Sequence, residues 1–263
     1  WSSDVCSSDL YERFAKEANE ICKGRVYTDH LRRYAYGVDA SCYSYLPKVV
    51  VKAEDEREVR RLIRLCQQCG TPFTFRAAGS SLSGQCSSED VLIVCNDGFK
   101  KMEVIDDGKA LKCECGVIGS DANDLLKPYN RKIGPDPATL ATALVGGILN
   151  NNSSGMCCGT AQNSYKTIRS IRVVLLDGSI LDTSDQKSIN QFLKEKPQMV
   201  EDILQLRKDI LADEELTHLI HHKYKIKNTT GYGLNSLVDF EDIIDIINHL
   251  FIGSEGTDRK SVV

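Results

Sequence analysis

Long apolar runs, internal repeats and blocks of one charge are all missing from this 263-residue chain. No stretch approaches the ~18 consecutive apolar residues of a membrane-spanning helix, so no transmembrane segment is expected. No basic run stands out and the formal net charge is −4, so nothing favours a nucleic-acid partner. The five histidines (His30, His218, His221, His222, His249) show no ligand spacing with the cysteines, which leaves no metal site to nominate. The two common nucleotide signatures are also absent. Ser83-Gly84-Gln85 stands where a Walker loop needs Gly-Lys-Ser/Thr. No G-x-G-x-x-G opens a helix after a strand either, which excludes the Rossmann fingerprint.

What the chain does carry is glycine next to short polar residues, in two places. Ile133-Gly-Pro-Asp-Pro137 is followed by Val145-Gly-Gly-Ile-Leu-Asn-Asn-Asn-Ser-Ser-Gly-Met-Cys-Cys-Gly159, with hardly a charge in it. Glycine removes the Cβ, so backbone can approach a ligand closely. Asn and Ser supply short groups that satisfy backbone and ligand together. The segment reads as a wall against a large, flat, polyfunctional cofactor, with an irregular structural loop as the alternative. The second place follows a short strand, Thr71-Pro-Phe-Thr-Phe75, and runs Arg76-Ala-Ala-Gly-Ser-Ser-Leu-Ser-Gly-Gln85. Small residues with successive amides make an anion-binding nest suited to a pyrophosphate, with Arg76 adding a positive charge.

These segments, with Gly134–Pro137 and Ile252-Gly-Ser-Glu-Gly-Thr257, resemble the FAD-binding domain of the vanillyl-alcohol oxidase / p-cresol methylhydroxylase superfamily. Within it the chain is most similar to the D-lactate and D-2-hydroxyglutarate dehydrogenase branch. The run Asn151–Lys166 resembles the large members that carry an iron–sulfur domain. The resemblance implies an α+β fold of p-cresol methylhydroxylase type, with two lobes and FAD extended between them. The expected division is residues 11–99 for the first lobe and 100–257 for an incomplete second one.

The resemblance also implies roles. Arg76, Ala78, Gly79, Ser80, Ser81, Leu82, Ser83, Gly84 and Gln85 would hold the pyrophosphate. Pro135, Asp136, Gly146, Gly147, Asn150, Asn152, Ser154 and Gly155 would shape the ribityl and isoalloxazine wall. Gly159, Val173 and Val174 would pack further along FAD, and Ile252, Gly253, Glu255 and Gly256 would close over it. Ser80 stands where covalently flavinylated members often place His, so FAD is expected to be non-covalent. Leu144 replaces a family Thr two residues before the glycine pair, so only backbone contact carries over there.

The implied chemistry is oxidation of a D-2-hydroxy acid (D-lactate or D-2-hydroxyglutarate) to the 2-oxo acid. The catalytic residues are unknown, because relatives supply the carboxylate clamp and base mainly from a cap domain and later segments. A 4Fe-4S cluster would belong to that later part. The electron acceptor, whether quinone, cytochrome or another carrier, is open, and the protein is expected to be cytoplasmic, peripheral to a membrane only through other regions. Two alternatives stay open: another flavin oxidase or reductase of the superfamily, and a nucleotide-binding module without redox catalysis.

Of eleven cysteines, Cys6 falls in the N-terminal stretch set aside below, and the other ten, with no secretory context, favour reduced thiols. Cys66-x-x-Cys69 is expected to face a core from a helix, Cys113 and Cys115 to share one strand face, and Cys157-Cys158 to pack in the wall. His221-His222 reads as the end of a solvated helix. Lys225-x-Lys-Asn-Thr-Thr-Gly-Tyr-Gly233 also resembles the branch and is left outside the catalytic set. The ends resemble translated sequencing adapters. Residues 1–9 can be encoded by a sequence containing GCTCTTCCGAT and residues 258–263 by one containing ATCGGAAGAGC, its reverse complement. Residues 1–10 and 258–263 are therefore set aside from fold reasoning.

The expected elements are a helix over 11–22, a loop over 34–43, a strand over 48–52 and a helix over 55–70. Strands follow over 73–75, 91–95, 102–105 and 110–116, then a helix after Asp121. A hairpin spans 168–182 around Asp177-Gly178, a helical region 191–223, and a last helix 242–250.

Overall fold

The computed structural model describes residues 3–228, 231–255 and 260–262. In chain order the elements are α1 (Ser3–Ile21), β1 (Val26–Tyr27), α2 (His30–Tyr36), β2 (Val49–Lys52), α3 (Glu56–Cys69), β3 (Phe73–Arg76) and β4 (Val91–Val94). Then come β5 (Met102–Ile105), β6 (Ala110–Cys113), α4 (Gly119–Leu126), α5 (Val145–Asn150), α6 (Ser164–Thr167), β7 (Arg172–Val174) and β8 (Ile180–Asp182). The remainder is α7 (Gln186–Glu195), α8 (Pro197–Ala212), α9 (Glu214–Lys223), α10 (Ser236–Asp239), α11 (Ile243–Leu250) and β9 (Lys260–Val262).

Val49–Lys52 and Val91–Val94 are near-continuous apolar runs, the pattern of strands covered on both faces. They take the centre of a sheet ordered β1-β2-β4-β3, with β2, β4 and β3 parallel. The crossover from β2 to β3 is α3. Asp55 caps its first turn by accepting from the Glu58 N–H at 2.8 Å, and Gly70 ends it in the left-handed region. Its inward stripe of Val59, Leu62, Ile63 and Cys66 packs with Phe14 and Ala18 of α1 and with Val49, Val51, Val91 and Ile93 of the sheet. At ~1.5–3 kcal/mol for each fully buried large apolar side chain, this layer is the main anchor for the loops it carries.

The core of that sheet does not stop near residue 99, since Cys115 and Val174 belong to it. Beyond it lie a β5–β6 hairpin and a sheet ordered β8-β7-β9. A second core joins β7 and β8 to α7, α8, α9, α10 and α11 through Val173, Leu181, Phe192, Ile203, Ile210, Ile220, Leu237 and Ile247.

Several boundaries differ from expectation for physical reasons. The strand expected over 110–116 ends at Cys113, so Cys113 and Cys115, both buried, enter different cores and share no strand face. The hairpin begins at Arg172 because Asn163, accepting from the Lys166 N–H at 3.0 Å, caps the short helix α6 just before it. Part of the expected loop over 34–43 is α2, which buries no side chain and so leaves no apolar stripe to read. The first helix begins at Ser3 rather than Tyr11. Cys66 and Cys69 both face the core from α3, and His221 and His222 are exposed at the end of α9.

Candidate functional site

A cleft of about 530 Å³ opens between the loop after β3 and the segment running from α5 to Ser154. Among the charged residues lining it are Arg76, Lys227 and Glu255.

The loop side is built from Arg76 outward. The Arg76 guanidinium donates to the carbonyls of Tyr36 (3.2 Å) and Val38 (2.8 Å), tying the loop to the chain after α2. Its hydrogen-bonding capacity therefore goes first to protein backbone. Asp39 adds a second tie, accepting from the Cys86 thiol and the Ser87 hydroxyl, each at 3.3 Å. Burial works against the charge on Asp39, but hydrogen bonds from Ser41, Cys86 and Ser87 outweigh it and hold the carboxyl below its ordinary range. Burial and the neighbouring Asp39 push the Cys86 thiol up to about 11, so it is a packing group rather than a nucleophile. Between these ties Ala77, Ala78, Gly79, Ser80 and Ser81 face the cleft with nothing larger than a hydroxyl.

The opposite wall is held by close backbone packing. A Cβ at Gly146 would lie 2.7 Å from the Cys115 Cβ, and its N–H donates to the Cys115 carbonyl at 2.9 Å. Gly146 is therefore glycine because protein lies against it. Gly147 differs. A Cβ there would meet only the Ala77 Cβ, at an ordinary 3.5 Å, so the space beside it belongs to the cleft. At Gly155 a Cβ would sit 1.9 Å from the Asp136 carbonyl oxygen. The Asp136 carboxylate in turn accepts from the N–H groups of Gly155 (3.0 Å), Cys157 (3.2 Å) and Cys158 (3.1 Å). Hydrogen bonds from Cys158 and then Cys157 hold Asp136 down to about 2. A second clamp comes from the chain after α11. Gly253 N–H donates to Leu149 (3.0 Å) and Glu255 N–H to Asn150 (2.7 Å), and Asn151 Nδ2 donates to Glu255 Oε1 at 2.8 Å.

Of the nominated residues, the structure brings Arg76, Ala78, Gly79, Ser80, Ser81, Leu82, Ser83, Gln85, Gly146, Gly147, Asn150, Ser154 and Glu255 to the lining of one cleft. Others lie elsewhere. Gly84 packs under Tyr43, Pro135 is buried, and Asp136 and Gly155 brace the wall from behind. Gly159 sits in the turn beyond that brace. Val173 and Val174 are wholly buried, with no surface left for a ligand. Asn152 turns away at φ +48° and, with Ile252 and Gly253, lines a separate pocket of about 440 Å³. Gly256 falls outside the described residues. In Cys157-Cys158 only Cys158 is buried; Cys157 is exposed.

Sequence reasoning missed Cys86, Cys95, Cys115 and Lys227 on the lining. Lys227 reaches the wall by donating to the Ser154 carbonyl at 3.3 Å. Its signal was the Lys225-x-Lys-Asn run, which resembled the branch but carried no stated role. Cys115 had none, because a buried cysteine after a strand reads as core. Among the described residues, no three His, Cys, Asp or Glu side chains are grouped to hold a metal ion.

The cleft has a small-residue loop rich in amides on one side and a glycine with open space on the other. A model of the FAD binding domain matches residues 47–184. A D-2-hydroxyglutarate dehydrogenase of Pantoea ananatis is 25% identical over 241 residues, covering 89% of this chain and 23% of that protein. A D-lactate dehydrogenase of Archaeoglobus fulgidus is 28% identical over 138 residues, 51% of this chain and 30% of that one. In solved structures, p-cresol methylhydroxylase with substrate bound superposes with a TM-score of 0.56 at 16% identity, over 66% of this chain and 35% of that one. The chain spans about a quarter of the length of D-2-hydroxyglutarate dehydrogenases it matches.

Proposed function

The chain belongs to the FAD binding domain family, and from that premise we propose that it is the flavin-holding part of an oxidoreductase acting on a D-2-hydroxy acid. The observation that carries this reading is the cleft itself, with open space at Gly147 facing the small-residue loop of residues 77–81. The names of the relatives, D-2-hydroxyglutarate and D-lactate dehydrogenases, support the substrate class.

When bound, FAD supplies the acceptor for the two electrons leaving the hydroxy acid. This chain's residues bind and orient it. The amides and hydroxyls of Gly79, Ser80, Ser81 and Ser83 hold the pyrophosphate, on a loop that Arg76 fixes to Tyr36 and Val38. Gly147 lets the ring approach the wall, and Asn150 and Ser154 give it polar edges. No histidine lines the cleft among the described residues, so the base for the substrate hydroxyl is assigned to other parts of the longer proteins of this family. An iron–sulfur cluster would belong to those parts as well, and the electron acceptor, whether quinone, cytochrome or another carrier, is a separate partner left open. FAD is held without a covalent bond, since Ser80 offers no ring nitrogen.

The test is to load the protein with FAD, precipitate it with acid, and assay dye reduction with D-lactate, D-2-hydroxyglutarate and their L-isomers. Flavin is expected in the supernatant, and turnover with D-isomers only by a protein that includes the substrate-side residues. Yellow precipitate refutes the non-covalent claim. Absence of any flavin spectrum favours the nucleotide-binding module without redox chemistry.

A further inference from the structure

Behind the cofactor wall lies a second pocket, of about 440 Å³, which the flavin reading does not use. Asn152 and Gly253 form its wall side, Lys166 of α6 and Lys225 after α9 its rim, and Asn235 its floor with Asp239 of α10 beside it. The frame is fixed by backbone. A Cβ at Gly253 would lie 2.8 Å from the Gly231 carbonyl oxygen. The Tyr224 hydroxyl donates to the Tyr232 carbonyl and accepts from the Leu234 N–H, each at 3.1 Å. Lys225, Ile226 and Asn228 line this pocket while Lys227 lines the flavin cleft, so one short segment partitions the two.

Asn235 is only 5% exposed, and its Oδ1 accepts no hydrogen bond. Its Nδ2 donates to Asp239 Oδ2 at 2.9 Å, which settles which end of the amide is left over. The hydroxyls of Ser164 and Ser236, each next in the chain to a lining residue, are buried and unpaired as well. Three of the four such atoms among the described residues therefore gather around one pocket. Buried polar atoms are nearly always paired, so this cluster marks a missing partner. The Tyr165 O–H donates to the same Asp239 Oδ2 at 2.8 Å, and Lys166 Nζ lies 4.0 Å from it. Asp239 thus spends one oxygen on the protein and keeps the acceptor capacity of the other.

These groups define the chemistry of the ligand. Asn235 Oδ1 and Asp239 Oδ1 call for a donor with more than one hydrogen, and the charge on Asp239 favours a cationic one. Lys166 and Lys225 call for anions. Two lysines against one carboxylate leave the lining with a surplus of positive charge, which a ligand with two carboxylates and one ammonium group complements. We propose that this pocket binds an acidic amino acid, with its ammonium group on Asn235 and Asp239 and its carboxylates on Lys166 and Lys225. Gly253 links the site to the cofactor wall, because its N–H also donates to the Leu149 carbonyl at 3.0 Å. An occupied pocket holds that clamp in place and so favours FAD in the cleft. The coupling rests on the FAD reading above; the amino-acid site does not.

The experiment is isothermal titration calorimetry of the full chain at neutral pH with L- and D-glutamate. D-2-hydroxyglutarate, 2-oxoglutarate and inorganic phosphate are the comparison probes. One glutamate isomer is expected to bind. The hydroxy and oxo acids keep both carboxylates but lose the ammonium group, and bind about tenfold or more weakly. Lys225→Gln, at an exposed side chain, weakens glutamate severalfold with the melting temperature unchanged. Asn235→Ala weakens it further. Saturating FAD leaves glutamate bound, and glutamate tightens FAD severalfold. Absence of glutamate binding overturns the site and assigns the unpaired atoms to an ordered water. Equal binding of 2-oxoglutarate or phosphate, binding that survives both substitutions, or displacement by FAD overturns it too. Glutamate binding with no change in FAD affinity overturns the coupling alone. Failure of FAD to bind while glutamate binds overturns the flavin reading and leaves the site standing.

Discussion

The two sides of the cleft solve the same problem by different means. The loop after β3 is small because its side chains are small, and it is held by reach: Arg76 to Tyr36 and Val38, Asp39 to Cys86 and Ser87. The wall from α5 to Gly155 is held by contact, with backbone pressed against Cys115 and Asp136 where no Cβ fits. A side held by polar ties gives way gradually when a tie is lost. A side held by close packing fails at once, because backbone cannot step aside as a flexible side chain can.

The sharpest break of this contrast is Gly155→Val. Even the first added carbon falls 1.9 Å from the Asp136 carbonyl oxygen, so the wall must open. A loss of about 3 kcal/mol or more is expected, at the top of the overpacking range, read by urea unfolding. A variant as stable as the unmutated chain would show that the wall is not packed as described.

Next is the pair Gly146→Ala and Gly147→Val, adjacent in sequence and opposite in consequence. Gly146→Ala meets Cys115 and costs roughly 1–3 kcal/mol of stability. Gly147→Val fills space in the cleft, so flavin binding is lost while the ligand-free protein keeps its midpoint to within about 1 kcal/mol. Only the stabilisation that FAD lends by mass action should disappear. Gly147→Ala tests the same point more gently, since exchange of a helical glycine for alanine contributes about 0.8–1.0 kcal/mol. Flavin occupancy near normal in Gly147→Val would remove the ring from this wall.

On the loop side, Arg76→Gln is predicted to cost about 1.5–3 kcal/mol, the range for hydrogen bonds to a charged group. Flavin affinity falls through loss of loop order. Arg76→Lys should rescue it poorly, because one ammonium cannot reproduce the planar fork that spans two carbonyls. Full rescue by lysine would mean that charge at the pyrophosphate matters more than the tie to Tyr36 and Val38.

This contrast also separates what the chain's letters reveal from what they hide. Periodicity made α3 legible, with Val59, Leu62, Ile63 and Cys66 on one stripe and Asp55 and Gly70 at its ends. The continuous apolar runs revealed β2 and β4, and Asp-Gly revealed the β7–β8 turn. The glycine-rich segments were legible as a site, but not each glycine's partner. Gly146 and Gly147 look alike in sequence, and only the fold sets Cys115 behind one and empty space beside the other. Asp136 was legible as part of the wall, yet its carboxylate is spent on three backbone N–H groups, a long-range pairing with no periodic signature. Val173 and Val174 were nominated by resemblance, whereas their burial follows from the cores they enter, Val174 the first and Val173 the second.

The smallest expected effect tests whether the polar tie that Asp136 gives the wall behaves like those of the loop. Asp136 Oδ1 accepts from Gly155 and Cys158, and Oδ2 from Cys157. In Asp136→Asn the amide oxygen can keep the first pair, but the NH₂ replacing Oδ2 would oppose the Cys157 N–H. Asp136→Ala loses all three. Amide hydrogen exchange at Gly155, Cys157 and Cys158 should therefore rank the unmutated chain slowest, Asp136→Asn intermediate with Cys157 released first, and Asp136→Ala fastest. The pH dependence has a definite sign. These bonds hold the carboxyl down to about 2, so its contribution is full above the ordinary carboxylate value near ~3.9 and is lost as pH falls through about 2. Protection of the three amides should consequently stay level from neutral pH down to about pH 4, once the intrinsic exchange rate is divided out. A fall in protection between pH 7 and 5 that vanishes in Asp136→Asn would assign Asp136 a raised carboxyl, and the wall would then rest on glycine packing and the clamp from Gly253 and Glu255.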